Sequence, residues 1–183
     1  MASTDFITAS FESCSASGLQ VLMNNFLATT NLAFSKVTRS EMTIWNGNTM
    51  FVGTIAYKID AGTANTRLVK IIEKENITEL RAAVNTFLQT TNINVTALLR
   101  DEICLETGNK IYMATIVYRI TTLSSYQIEI IEKDNIIDWQ IAVNAYIVSN
   151  SRLLHSSGIQ TNTLELANGN KSYIATIPYT PNT

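Results

Sequence analysis

Between residues 67 and 120 the spacing of apolar side chains changes twice, and each change marks a new element. Arg67-Leu68-Val69-Lys70-Ile71-Ile72-Glu73 is a short β-branched run that predicts a strand. Beyond it Ile77, Leu80, Ala83, Val84, Phe87 and Leu88 recur at offsets of three and four, which places all six on one stripe of a helix ending near Thr91. Asn76, with Glu79 three positions later, forms a pair in which one side chain caps the first free helical amides and the other reaches back. From Val95 to Leu105 the pattern alternates again. Thr107-Gly108-Asn109 then tolerates a hairpin turn into a returning strand from Lys110 to Ile120. The unit reads β-α-β-β. A right-handed crossover through the helix sets the first two strands parallel and leaves the third between them, so the predicted order is 1-3-2 with the helix on one face.

The same pattern fits the chain on either side. Gly53-Thr54-Ile55-Ala56-Tyr57 returns as Ala114-Thr115-Ile116-Val117-Tyr118 and as Ala175-Thr176-Ile177-Pro178-Tyr179, each copy 61 residues after the last. In the first copy Phe6 to Glu12 is the first strand and Ser15 takes the capping position. Ala16, Leu19, Leu22, Met23, Phe26 and Leu27 form the helical stripe, and Phe34 to Trp45 and Thr49 to Ile59 turn about Asn46-Gly47-Asn48. In the third, Tyr126 to Glu132 leads to Asn135 and Asp138. Ile136, Trp139, Ala142, Val143, Tyr146 and Ile147 follow, and a hairpin turns about Asn168-Gly169-Asn170. The fold class is therefore α+β, with tandem βαββ repeats over 1–60, 66–120 and 125–183 packed with pseudo-symmetry. A unit of this size buries only about 60% of its unfolded surface, so the copies are expected to pack together. Pro178, which removes an amide donor from the last strand, is expected at a sheet edge or where pairing weakens beyond Ile177.

One helix covers only one face of a sheet. Ile71 and Ile72, and Ile130 and Ile131, put apolar groups on both faces of the first strand, so the second face calls for another sheet, repeat or subunit. Composition agrees: 46% of residues are apolar and 15% charged, which indicates a large buried area and excludes a disordered chain. With 13 basic against 15 acidic residues, a net charge of -2 gives no electrostatic basis for gripping nucleic acid. The opening residues lack the basic start of a signal peptide, and no apolar run is long enough for a membrane span. Cys14 and Cys104 stand at different places in their repeats and read as free thiols of a reducing compartment, which places the protein in the cytoplasm or a virion.

Val84-Asn85-Thr86-Phe87-Leu88 in the helix, followed by Tyr112-Met113-Ala114-Thr115-Ile116-Val117-Tyr118-Arg119, resembles the small, repeat-sized sporulation-associated proteins of spore-forming bacteria and their phages. The third copy departs by lacking the basic residue after Tyr179. The resemblance implies a fold and no reaction, since its motifs are packing residues.

Chemistry is sparse. His155 is the only histidine, which excludes paired imidazoles and most zinc sites. Beside Ser156 and Ser157 it supports only a hydrolase without a positioned partner. Glu12, Glu73 and Glu132 recur at the end of the first strand, the best polar candidates for a ligand or an interface, against the plainer reading of solvated strand ends. Tyr57, Tyr118 and Tyr179 share a strand face with Gly53, Ala114 and Ala175, where a small residue lets the helix approach. Base stacking there would need a basic groove that is absent. No phosphate loop, dinucleotide fingerprint or metalloprotease motif occurs. The expectation is a non-enzymatic assembly protein, a phage virion or other particle component, without cofactor or metal. Its partners are copies of itself or other structural proteins, with no nucleic acid and no membrane, and Ile71 and Ile130 are candidate interface positions. The alternative is a small-molecule or ion-binding regulatory module with clefts between repeats.

Overall fold

The computed structural model describes residues 7–29, 32–43, 49–59, 66–90, 92–104, 110–120, 127–150, 154, 158–165 and 169–180. The order of elements is β1 (Ile7–Ser13), α1 (Ala16–Thr29), β2 (Leu32–Thr43) and β3 (Thr49–Ile59). β4 (Arg67–Lys74), α2 (Ile77–Thr90), β5 (Ile93–Cys104) and β6 (Lys110–Ile120) follow, then β7 (Gln127–Lys133), α3 (Ile136–Asn150), β8 (Gln160–Glu165) and β9 (Lys171–Tyr179). βαββ thus occurs three times. The sheets have the orders β1-β3-β2, β4-β6-β5 and β7-β9-β8, so the last strand of each repeat is central as expected. In the first and third sheets that central strand runs antiparallel to both neighbours.

Each helix begins where its capping residue dictates. The Gly18 amide donates to Ser15 Oγ at 3.1 Å and the Glu79 amide to Asn76 Oδ1 at 2.8 Å. Asn135 Oδ1 accepts from the Ile137 amide at 2.7 Å, and the first helical bond of each helix runs back to Ser15, Asn76 or Asn135. Of the three hairpin turns, 46–48 and 107–109 lie outside the described residues. In the third, Gly169 has φ of 79°, the left-handed geometry that favours glycine.

By compactness the chain divides into two units that do not follow the repeat boundaries. One comprises residues 1–73, 93–99 and 114–121, and the other residues 74–92, 100–113 and 122–183. In the first, α1 lies on β1 and β3. Leu19, Met23, Leu27 and Ile55 are fully buried there, while Leu22 falls outside the stripe at 42% exposure. A Cβ built on Gly53 would come within 2.7 Å of Met23 Sδ, so the small residue does set the approach of this helix. In the second unit, α3 lies on β7 and β9. Val143, Ala175 and Ile177 form its core, with Ile131, Trp139, Tyr146, Ile147 and Leu154 packed against them. This stripe is the thinnest of the three, since Val143 is its one buried residue and Ile136 is exposed.

Of the two settings expected for Pro178, the second holds: its strand, β9, is central, and on the β8 side pairing beyond Ile177 is reduced to an isolated bridge between Leu154 and Tyr179. Pro178 stands opposite Ile128, whose amide and carbonyl both point away to another partner, so the pair is the non-hydrogen-bonded kind. The missing N–H therefore faces β8, and β8 has already ended, its first residue Gln160 pairing with Thr176. A proline costs no ladder bond there.

Candidate functional site

Edge strands carry outward N–H and C=O groups that must find partners. In β4 they find them on the preceding helix. Asn24 of α1 donates from Nδ2 to the Val69 carbonyl at 2.9 Å and accepts from the Val69 amide at 2.8 Å, so one side-chain amide completes both bonds of an edge residue. One turn earlier, Gln20 Oε1 accepts from the Ile71 amide at 2.9 Å. The geometry repeats in the second unit. Asn85 of α2 donates to the Ile128 carbonyl at 3.0 Å and accepts from the Ile128 amide at 2.8 Å, while Arg81 pairs with the Glu129 carboxylate. Side-chain amides on a helix thus clasp the first strand of the next repeat.

Apolar burial accompanies both clasps. Val69 and Ile71 are 0 and 6% exposed, and Ile128 and Ile130 are 1 and 7% exposed. The candidate interface residues Ile71 and Ile130 therefore lie buried within the chain, on the strands the clasps hold. The far faces of the second and third sheets are also covered, with Met113, Thr115, Val117, Ile174 and Thr176 all buried. In β1 the equivalent positions are Thr8 and Ser10, both exposed.

The third helix carries the same residues, with no strand bonded to them among the described residues. Gln140 and Asn144 hold the places of Gln20 and Asn24, yet both are exposed where their counterparts are half-buried. Beside them Ile137, Ile141 and Val148, at offsets of four and seven, are 62, 63 and 79% exposed. The recurrence of Asn24, Asn85 and Asn144, each directly after a buried core residue, is a signal the sequence holds but periodicity arguments pass over.

The three recurring glutamates part company. Glu12 and Glu73 are exposed, whereas Glu132 is half-buried and accepts from Ser172 Oγ at 2.6 Å and Lys110 Nζ at 3.3 Å. Near it Arg100 and Glu102 form a bond of 2.6 Å with side chains 4 and 0% exposed. Burial raises the Glu102 carboxyl above its usual range, against the opposing pull of Arg100. For Lys110, burial lowers the ammonium and Glu132 raises it, with a net shift upward. Arg100 Nη2 and Glu102 Oε2 have no hydrogen-bond partner among the described residues. Among those residues no group of three or more His, Cys, Asp or Glu could hold a metal ion. His155 and its serines lie outside the described residues, and Cys14 is a free, exposed thiol. No helix among the described residues is long and apolar enough to cross a membrane.

The tyrosines pack against helix aromatics. Tyr57 meets Phe26 edge-on at 5.2 Å, and Tyr179 meets Tyr146 at 6.1 Å and donates to Gln127 Oε1 at 2.7 Å. Burial pushes Tyr146 up to about 12 and raises Tyr112, Tyr118 and Tyr179. The fold thus favours neutral phenols, and between the ordinary value of 10.0 and about 12 it binds more protons than the unfolded chain. Stability is expected to fall as pH rises through that window. Thermal melting across it, compared with Tyr146→Phe, checks this: the variant should show a shallower decline, and an identical one would contradict the assignment.

These arrangements can hold repeats together; among the described residues the outward face of α3 is exposed and no helix bonds the outward main chain of β1. Comparison with protein-family models, with curated proteins and with solved structures finds no match for this chain.

Proposed function

We propose that the chain is a non-enzymatic structural protein, a component of a virion or comparable particle, that acts by contact with copies of itself or with other structural proteins. The observation that carries this reading is the outward face of α3. Three large aliphatic side chains more than 60% exposed on one helix face are costly to leave in water, and each contributes roughly 1.5–3 kcal/mol when fully covered. The fold's construction agrees with it, because each repeat already makes its contacts through main-chain and packing groups of a kind that another chain can also supply. The phage or cytoplasmic setting belongs to the same proposal.

Light scattering after size exclusion, over a wide range of protein concentration, tests the reading. The expected result is a mass that rises above the 20.3 kDa of one chain as concentration increases. A strictly monomeric protein at high concentration that also captures no particle component contradicts it.

A further inference from the structure

The outward face of α3 and the outward edge of β1 are both exposed. We infer that copies of this chain associate head to tail, with Gln140 and Asn144 of α3 clasping the outward main chain of Thr8 and Ser10 on the β1 edge of the next copy. This rests on the assembly reading above and specifies its contact.

Within the chain the junction is made twice, by Gln20 and Asn24 on β4 and by Arg81 and Asn85 on β7. The third helix repeats the first junction's residue pair, glutamine and asparagine four apart. Among the described residues no strand is bonded to Gln140 or Asn144, and both are exposed. The acceptor end is equally defined. Ile7 stands opposite Tyr57 as Gln127 stands opposite Tyr179, which makes Thr8 the register equivalent of Ile128. The Thr8 amide and carbonyl therefore point outward from β1, as do those of Ser10 two residues on. No helix among the described residues is bonded to them.

The chemistry at each end fits the other. Where Arg81 meets Glu129 in the second junction, Gln140 would meet Ala9, so no charge is buried unpaired. Thr8 and Ser10 replace the buried pairs Val69 with Ile71 and Ile128 with Ile130. The contact between chains keeps the main-chain bonds with less apolar burial, which makes it reversible with dilution while the junctions inside the chain are permanent. One contact covers two surfaces that are otherwise open. Because those surfaces differ, the contact is heterologous and generates a ring or a filament rather than a twofold dimer.

Two end-blocked variants test it. Asn144→Leu removes the clasp from an exposed helix position. Thr8→Pro removes an outward amide that serves no ladder bond. Each alone is expected to weaken self-association by roughly tenfold or more. Mixed in equal amounts, they are expected to form a heterodimer through the one intact pair of ends. If Thr8→Pro associates as the wild type does, the β1 edge is unused and the inference fails, while the assembly reading stands on the mass measurement. A twofold α3-to-α3 dimer would give that result. If the wild type never exceeds one chain's mass, both fall. Should Thr8→Pro not fold, amide exchange in the wild type decides: exchange at Thr8 and Ser10 should slow as concentration rises, and rates independent of concentration overturn the inference.

Discussion

Glu102→Ala is expected to destabilise the fold by about 3–5 kcal/mol, the cost of leaving a buried guanidinium without its counter-charge. Both side chains of the Arg100–Glu102 pair are almost wholly removed from solvent, at 4 and 0% exposure. The pair is not thereby a strong source of stability. Burial raises the Glu102 carboxyl in spite of the adjacent Arg100, so desolvation outweighs attraction for the ionised acid. The sign follows: the fold binds the proton more tightly than the unfolded chain does. Ionising Glu102 therefore weakens stability as pH climbs from 4.5 through the raised folded value. Replacing both partners together, Arg100→Met with Glu102→Leu, should be close to neutral or stabilising, because two desolvation costs vanish at once. Denaturant unfolding of the single and double variants checks the pattern. A double variant as unstable as Glu102→Ala would show that the pair's ionic character is needed.

Asn85→Ala is expected to cost about 2–3 kcal/mol, since it leaves both the amide and the carbonyl of Ile128 without their partner at a half-buried site. Asn24→Ala should behave alike through Val69. Asn144→Ala supplies the control. It is the same substitution at the same helical position, yet in dilute solution it should change stability by no more than about 0.5 kcal/mol, as for an ordinary surface residue. Asn85→Asp separates the two bonds, because a carboxylate still accepts from the Ile128 amide but cannot donate to its carbonyl. Equilibrium unfolding of the four variants decides. Equal effects at Asn85 and Asn144 would mean that the clasp is incidental.

The elements were legible because each has a strong period and a specific start. Ile77 through Leu88 read as a helix from spacing alone, and Asn76 and Asn135 cap where the sequence says they should. Strand order followed from the crossover. Pro178 left two settings open, an edge or weakened pairing beyond Ile177, because residue type carries no register: a central strand accepts proline where its neighbour has already ended, and the pairing of Gln160 with Thr176 reveals that end. The two-sided strands were legible as needing a second cover, and Val69, Ile71, Ile128 and Ile130 are indeed buried.

The candidate site was far less legible, for a physical reason. Apolar residues announce their burial by pattern, but a polar residue on a helix surface has no direction in sequence. Asn85 lies within Val84-Asn85-Thr86-Phe87-Leu88, a stretch the sequence offers only as packing residues. Recurrence points instead to Glu12, Glu73 and Glu132, but a shared position at a strand end does not give them shared surroundings: Glu12 and Glu73 are exposed, while Glu132 meets Lys110 and Ser172, which come from other strands. Comparing polar residues that directly follow core positions across the copies would have found the three asparagines.

Site-resolved amide hydrogen exchange in dilute solution tests the construction most directly, at the three register-equivalent edge residues Thr8, Val69 and Ile128. Val69 and Ile128, held by Asn24 and Asn85, should exchange only as slowly as the whole unit opens, and Thr8 should exchange fast. Val69 and Ile128 exchanging at the rate of Thr8 would contradict the helix-to-strand clasp on which the account depends.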